Sequence, residues 1–147
     1  MAQFQTCAER LDAPPRRGAV LVVEDRDEVR DGVAQLLELH GFLVEDARDA
    51  EEALAELQAT PGGFALILLD LLLPGHLNGW DFRRRQLADP ALACIPTVVI
   101  TVADVDEPER AALRADGWLE KPFRCADLLD AVKRYVVSEG GALQATP

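Results

Sequence analysis

The sequence is poor in the residues that build disulfide frameworks, metal fingers and nucleic-acid surfaces. It has only 3 cysteines, and Cys7, Cys94 and Cys125 show neither CxxC nor Cys/His metal spacing. Because the number of cysteines is odd and they are widely spaced, we expect reduced thiols, as in cytosolic proteins. The 15 basic residues face 26 acidic ones, a net charge of −11, and form no long Lys/Arg cluster. Direct binding to DNA or RNA is therefore not expected. The acidic excess could match a basic partner surface, but solubility is the simpler interpretation.

Long hydrophobic runs are missing as well. No apolar run reaches the roughly 18 residues that a membrane span needs, and the amino terminus lacks the basic-then-apolar pattern of a secretory signal. We therefore expect no membrane contact and a cytoplasmic location. The chain has 147 residues, of which 49% are hydrophobic. It fits one compact domain that buries roughly 70% of its unfolded surface.

What the sequence does contain is a regular alternation of strand and helix patterns. Apolar, β-branched runs at 19–23, 64–69 and 96–101 are typical of buried parallel strands, and weaker strand patterns lie at 42–44 and 118–119. Helical patterns follow these strands in turn, at 27–40, 50–58, 80–87, 107–115 and 126–137. Five strands alternating with five helices predict right-handed crossovers and a parallel sheet covered on both faces.

Both ends of the chain lack such periodicity. Residues 1–18 mix polar residues with a Pro- and Arg-containing stretch before Gly18, and we expect a flexible leader there. Residues 138–147 are Gly-containing and are expected to be a flexible tail. The predicted domain therefore spans residues 19–137.

The third predicted helix carries a basic cluster, Arg83-Arg84-Arg85. Long arginine side chains commonly lie along a protein surface with their charged ends in water. We therefore interpret the triplet as a solvated helix face and not as a phosphate site.

Polar side chains close four of the five predicted strands. They follow the first, third, fourth and fifth strands and are Glu24, Asp25, Asp70, Thr101 and Lys121. Because the carboxyl ends of parallel strands share one edge of the sheet, we expect these residues to converge in one cleft. Three carboxylates in a cleft repel one another unless a cation lies among them, and Mg²⁺ prefers oxygen ligands, waters and phosphate oxygens. The pattern predicts a magnesium site at which Lys121 would balance a phosphoryl group and Thr101 would hydrogen-bond one of its oxygens.

These residues occur in motifs that resemble the receiver domain of two-component response regulators. The motifs are Val22-Val23-Glu24-Asp25, Leu68-Leu69-Asp70-Leu71-Leu72-Leu73-Pro74 with Gly79, Pro96-Thr97-Val98-Val99-Ile100-Thr101, and Trp118-Leu119-Glu120-Lys121-Pro122-Phe123. Four motifs in the family's order are highly specific, and they cover the predicted domain. The resemblance implies an α/β fold: a flavodoxin-like, doubly wound, five-stranded parallel sheet of order 2-1-3-4-5 with five helices.

The resemblance implies roles for the acidic residues and the lysine. Asp70 would accept a phosphoryl group from a phosphohistidine on a sensor histidine kinase or a histidine phosphotransfer protein. Glu24 and Asp25 would hold Mg²⁺ directly or through water, together with Asp70 and the backbone carbonyl of Leu72. Lys121 would pair with the phosphoryl group or with the bare carboxylate. Such a receiver catalyses its own phosphorylation and dephosphorylation only and is not otherwise an enzyme.

The resemblance also implies a switch and an output. Thr101 would move toward the phosphoryl oxygen. Trp118 stands where the family often has a rotating Tyr or Phe, and is either a switch residue or a packing anchor. No output domain is visible in the chain, so we expect the signal to leave by contact with a downstream protein or by onward phosphoryl transfer. The resemblance also allows a homodimer.

Three positions depart from the family pattern. Gly79 lies nine positions after Asp70 instead of the usual eight, so the loop at 75–78 carries one extra residue. Val102 replaces the usual Ala or Gly after the switch hydroxyl, and its bulk predicts slow transfer from small phosphodonors. Arg114 stands where a helix-ending Gly is common, which predicts a short or distorted fourth helix.

Two other classes of function stay open at this point. One is an unphosphorylated, receiver-like scaffold that binds a partner protein, and the complete set of strand-end residues argues against it. The other is a phosphatase with an aspartyl nucleophile. Such enzymes commonly need a second acid two residues after the first, and Leu72 occupies that place.

Overall fold

Strands and helices alternate along the part of the chain that the computed structural model describes, residues 14–102 and 104–138. The strands are β1 (Ala19–Val23), β2 (Val44–Ala47), β3 (Phe64–Leu69), β4 (Thr97–Thr101) and β5 (Gly117–Glu120). The helices are α1 (Asp27–Leu39), α2 (Ala50–Ala59), α3 (Gly79–Ala88), α4 (Glu107–Leu113) and α5 (Cys125–Lys133). None of the helices in these two ranges is both long and apolar enough to cross a bilayer.

The five strands form one sheet in the order β2-β1-β3-β4-β5, and every pair is parallel. This confirms the predicted doubly wound sheet of order 2-1-3-4-5. The central strand β3 is buried at all six residues, because helices cover both of its faces. One hydrophobic cluster joins the sheet to α2, α3 and α4, and a second joins the opposite face to α1 and α5.

The strand register brings the carboxyl ends of the inner strands to one edge. Val23 of β1 lies opposite Leu69 of β3, and Thr101 of β4 lies opposite the last residue of β5. The pairing continues past the strand ends, since the amide of Asp70 donates to the Val23 carbonyl at 3.0 Å and the amide of Lys121 donates to the Thr101 carbonyl at 3.2 Å. The residues that follow these strands therefore start from neighbouring backbone positions.

The second strand lies later in the chain than the sequence predicts. We expected it at 42–44, whereas β2 is Val44–Ala47. The amide of Phe42 donates to the carbonyl of Leu37 at 3.0 Å, which ties Phe42 to the end of α1. Since β2 is an edge strand whose Glu45 and Asp46 are exposed, it lacks the apolar run that identifies a buried strand.

The interpretation of the basic triplet in α3 as a solvated face is wrong for its first residue. Arg84 and Arg85 are exposed, but Arg83 is only 2% exposed. Its guanidinium donates to the carbonyls of Leu113 and Arg114 at 2.7 and 2.6 Å. Arg114 has a left-handed backbone with φ of 51° and follows the end of α4, which has only seven residues. The expected short fourth helix is thus present, and Arg83 binds its last carbonyls.

The cysteines differ from the sequence-based expectation in one respect. Cys94 is disulfide-bonded, so the expectation of reduced thiols is wrong for this residue. Cys125, the first residue of α5, is free and exposed, whereas Cys7 lies outside the described residues.

The predicted leader and tail fall mainly outside the described residues. Of the leader, only 14–18 is described, and there Arg16 forms a parallel bridge with Val136 just after α5. Of the tail, only Ser138 is described, and its hydroxyl donates to the carbonyl of His40 at 2.9 Å. The boundaries at residues 18 and 138 stay predictions.

Candidate functional site

Three carboxylates lie together at the carboxyl edge of the sheet. Each of Glu24, Asp25 and Asp70 offers an oxygen, and these oxygens all lie within 4.8 Å of one another. Glu24 is 4% exposed and Asp70 is 6% exposed, while Asp25 is partly exposed. Like charges at this separation repel one another. A positive charge beside the three carboxylates is therefore needed to offset their repulsion.

Asp70 is held at both of its carboxylate oxygens. Its Oδ1 accepts from the backbone amide of Leu72 at 3.0 Å, and its Oδ2 accepts from Lys121 Nζ at 3.0 Å. This local hydrogen bond from the amide two residues further on orients the side chain in the turn that follows β3. One carboxylate oxygen is thus tied to the backbone and the other to the lysine.

Lys121 bridges two carboxylates that come from different strands. Besides Asp70, its Nζ contacts Glu24 Oε1 at 2.6 Å, and the lysine side chain is 13% exposed. Burial is the largest single effect on the Lys121 pKa and opposes the charged form, but the hydrogen bonds and charges of Glu24 and Asp70 outweigh it. The pKa of Lys121 therefore lies above its ordinary value, and the ammonium group is charged at neutral pH.

The acidic cluster has the chemistry of a magnesium site. Its donors are carboxylate oxygens, which are the ligands that Mg²⁺ prefers, and the partly exposed Asp25 leaves room for the waters that this ion usually keeps. The described contacts of Leu72 involve its amide, which binds Asp70. The role of the Leu72 carbonyl as a metal ligand stays a prediction.

Thr101 and Trp118, the two residues for which the sequence suggested a switch role, lie close together in the structure. Both line a cavity of about 260 Å³, together with Arg110 of α4. Thr101 is 3% exposed, and the Trp118 ring is partly exposed with the Arg110 guanidinium carbon 4.1 Å from its centroid. A guanidinium at this distance is attracted by the face of an indole ring. Val102, beyond Thr101, is 60% exposed.

Gly79 lies against the end of β3, although the loop before it has one residue more than the family pattern that the sequence resembles. The amide of Gly79 donates to the Leu71 carbonyl at 2.9 Å. A Cβ added to Gly79 would lie 2.4 Å from Leu71 Cα and 2.6 Å from the Asp70 carbonyl oxygen, so only glycine fits. The longer loop contains Gly75, whose φ of 94° suits a residue without Cβ.

One cation next to the cluster was not predicted from the sequence. Arg30 of α1 donates from Nη1 to the backbone carbonyl of Glu24 at 3.0 Å. Its only signal in the sequence is that it lies five positions after Asp25, near the start of a helix that follows the acidic pair. This spacing alone does not distinguish an arginine that contacts the cluster from an ordinary surface arginine.

Comparison with known families agrees with this geometry. The family described as the response regulator receiver domain matches residues 20–133. The chain therefore belongs to the response regulator receiver domain family. The members of this family are signalling modules of two-component systems. Receiver domains of this family interact with histidine kinases or phosphotransfer proteins and typically bind Mg²⁺ at an acidic cluster.

Individual relatives show the same relationship. The sensory transduction protein RegX3 of Mycobacterium tuberculosis is 33% identical over 125 residues, covering 84% of this chain and 52% of RegX3. The gliding motility regulatory protein of Myxococcus xanthus is 33% identical over 125 residues, covering 82% of this chain and 16% of that protein. The chain thus spans about half the length of RegX3 and a smaller part of the Myxococcus protein.

Among solved structures, the chemotaxis protein CheY4 of Vibrio cholerae is similar, with a TM-score of 0.72 and 31% identity. The match covers 84% of this chain and 100% of that chain. The receiver domain of a signal transduction histidine kinase from Syntrophus aciditrophicus has a TM-score of 0.70 and 28% identity over 88% of this chain and 95% of that one.

Proposed function

We propose that this receiver accepts a phosphoryl group on Asp70 from a phosphohistidine, carried by a sensor histidine kinase or a histidine phosphotransfer protein. The observation that supports the proposal is the Lys121 bridge. One ammonium group contacts both Glu24 and Asp70, within a group of three carboxylates whose oxygens lie within 4.8 Å. A scaffold that only binds a partner has no need for this costly concentration of like charge.

The residues of the cluster would hold Mg²⁺. Glu24, Asp25 and Asp70 supply carboxylate oxygens, and the Leu72 carbonyl would complete the protein ligands. When bound, the ion neutralises the carboxylates and draws charge from the phosphoryl oxygens.

Asp70 acts as the nucleophile. A carboxylate oxygen of Asp70 forms a bond to phosphorus while the bond from phosphorus to the donor histidine nitrogen breaks, and the electron pair leaves with the imidazole. Lys121 offsets the charge on the phosphoryl oxygens, because its Nζ already lies 3.0 Å from Asp70 Oδ2. The Leu72 amide holds the other oxygen and limits rotation of the carboxylate.

The switch would run from Thr101 toward α4 and β5. Phosphorylation adds charge and acceptor oxygens beside the end of β4, and the Thr101 hydroxyl binds one of these oxygens. Because Thr101, Arg110 and Trp118 line one cavity, a shift of the threonine changes the space available to the indole. The altered face would bind a downstream protein or a second copy of the chain. The proposal also includes that the chain catalyses only its own phosphorylation and dephosphorylation, and that it is located in the cytoplasm.

Intact-mass spectrometry tests the phosphoacceptor. The chain is incubated with Mg²⁺ and either acetyl phosphate or a phosphorylated cognate kinase, and we expect the mass of one added phosphoryl group. The gain should disappear in Asp70→Asn and persist in Asp130→Asn, a matched change at an exposed residue of α5. It should also disappear when EDTA removes the metal.

Two outcomes contradict the proposal. An unchanged wild-type mass with a kinase known to be cognate supports the scaffold function instead. Sustained release of phosphate from phosphate monoesters supports the phosphatase function.

A further inference from the structure

We propose that Arg30 is a positioning residue that holds the turn between β1 and α1 in the geometry that Mg²⁺ binding requires. The inference rests on the proposed function, since it assumes that the acidic cluster binds this ion. It assigns a role to a side chain of α1 that does not itself belong to the cluster.

Arg30 joins three segments of the fold through one guanidinium group. Its Nη1 donates to the carbonyl of Glu24 at the end of β1 at 3.0 Å, and its Nη2 donates to Asp27 Oδ1 at the start of α1 at 2.6 Å. Its Nε lies 3.8 Å from Asp46 Oδ2 on β2. The Arg30 side chain is 14% exposed, so it is held among these partners and does not extend freely into solvent.

The carbonyl that Arg30 binds belongs to the peptide joining the two acids. Holding this oxygen holds the plane of the peptide between Glu24 and Asp25, and therefore limits the directions in which the Asp25 side chain can leave the backbone. Arg26, the residue that precedes α1, makes no side-chain hydrogen bond to cap the helix. The turn is held by the Arg26 amide, which donates to Glu24 Oε2 at 3.0 Å, and by Arg30. Arg30 reaches back from the second turn of α1 and ties the start of the helix to the end of β1.

The charge of Arg30 and its hydrogen bonds have opposite effects on a bound cation. A guanidinium near the cluster repels Mg²⁺, so removing its charge alone should tighten binding. Losing the bond to the Glu24 carbonyl should instead weaken binding, because the ligands are then less well ordered. The direction of the change in affinity therefore separates the two roles.

Isothermal titration calorimetry with Mg²⁺ on the full chain tests the proposal. We expect Arg30→Met to raise the Mg²⁺ dissociation constant roughly 10-fold or more, the range seen when residues that support metal ligands are changed. Arg30→Lys keeps the charge but lacks the planar guanidinium group that contacts three acceptors. Its Mg²⁺ dissociation constant should lie between those of Arg30→Met and the wild type. The matched control is Arg48→Met, which removes the same charge from an exposed arginine at the end of β2 and should not weaken binding.

A Mg²⁺ affinity of Arg30→Met equal to or higher than that of Arg48→Met overturns the proposal. If Arg30→Met does not fold, Arg30→Lys decides, and wild-type affinity in that variant also overturns it. Urea unfolding in EDTA measures the stability of each variant without bound metal. A positioning role requires that Arg30→Lys binds Mg²⁺ more weakly than the wild type while it keeps most of the wild-type unfolding free energy. Absence of Mg²⁺ binding by the wild type overturns the proposed function itself, whereas binding that is undiminished in both Arg30 variants overturns only this inference.

Discussion

Replacing Lys121 by methionine should expose how strongly the acidic cluster depends on its lysine. The change keeps the length of the side chain and removes the charge that contacts Glu24 and Asp70, which are 4% and 6% exposed. Removing one partner of a buried ion pair typically costs about 3–5 kcal/mol, because the remaining charge is left uncompensated. Since Asp25 opens one side of the cluster to solvent, we expect a loss near the lower limit, about 3 kcal/mol of unfolding free energy in EDTA at neutral pH.

The assay is urea unfolding followed by circular dichroism, with EDTA and then with saturating Mg²⁺. Mg²⁺ replaces part of the missing charge, so the destabilisation should shrink when the ion is present. Lys133→Met, at an exposed position of α5, is the control and should change the unfolding free energy by less than about 0.5 kcal/mol. A loss in Lys121→Met that is below 1 kcal/mol, or that is the same with and without Mg²⁺, would refute this account of the site.

The pH dependence of this difference has a definite sign. The folded-state pKa of Lys121 is raised, because the bonds and charges of Glu24 and Asp70 outweigh its burial. The stability that the ammonium group contributes is therefore fully present below its ordinary pKa and is lost as the pH rises through the higher folded-state value. The stability difference between wild type and Lys121→Met that arises from this linkage should persist through neutral pH and decline only under alkaline conditions.

Two further substitutions test how the surrounding fold supports the site. Gly79→Ala should destabilise the protein by about 1–3 kcal/mol in urea unfolding, because the new Cβ would overlap the backbone of the β3–α3 loop. Gly32→Ala is the matched control. Apart from its chain neighbours and the backbone of its own helix, no heavy atom lies within 4 Å of the added Cβ. The unfolding free energy should therefore rise by about 0.5–1 kcal/mol, and equal effects of the two changes would contradict the packing argument. Arg83→Met should cost about 3 kcal/mol, because it leaves buried carbonyls at the end of α4 without their donor. Arg84→Met, at an exposed neighbour, should have little effect in the same assay, and a similar loss in both variants would show that the buried contacts of Arg83 contribute little.

The sequence predicts the acidic residues and the lysine of the site better than it predicts the residues that hold the surrounding backbone in place. Glu24 and Asp70 directly follow predicted strands, and Lys121 lies two positions after another. The rule that parallel strands end at one edge was enough to bring them together. By contrast, the two backbone carbonyls that Arg83 binds lie at the end of α4, 30 and 31 residues further along the chain. A local pattern contains no information about such a partner, so a buried arginine and an exposed one look alike in the sequence.

The same limit explains the errors at β2 and around Arg30. Hydrophobic periodicity reports burial, and β2 is an exposed edge strand at Glu45 and Asp46, so the pattern shifted the prediction toward the apolar residues before it. Arg30 lies on the correctly predicted helix α1, but its function depends on a backbone carbonyl that no periodicity marks. Sequence patterns therefore locate side chains that line an edge and miss those that order its backbone.

The net charge of the cluster matches that of a divalent cation. The three carboxylates and the ammonium group that bridges two of them sum to two negative charges, which is the charge that Mg²⁺ neutralises. Lys121 contacts Glu24 and Asp70, the two buried members, so Asp25 is the acid that solvent ions reach most directly. A phosphoryl group arriving at Asp70 brings further negative charge, which the lysine alone would not balance. The ion and the lysine would then act on different sides of the same carboxylate, and for this reason removing either one should impair phosphorylation even when the other is intact.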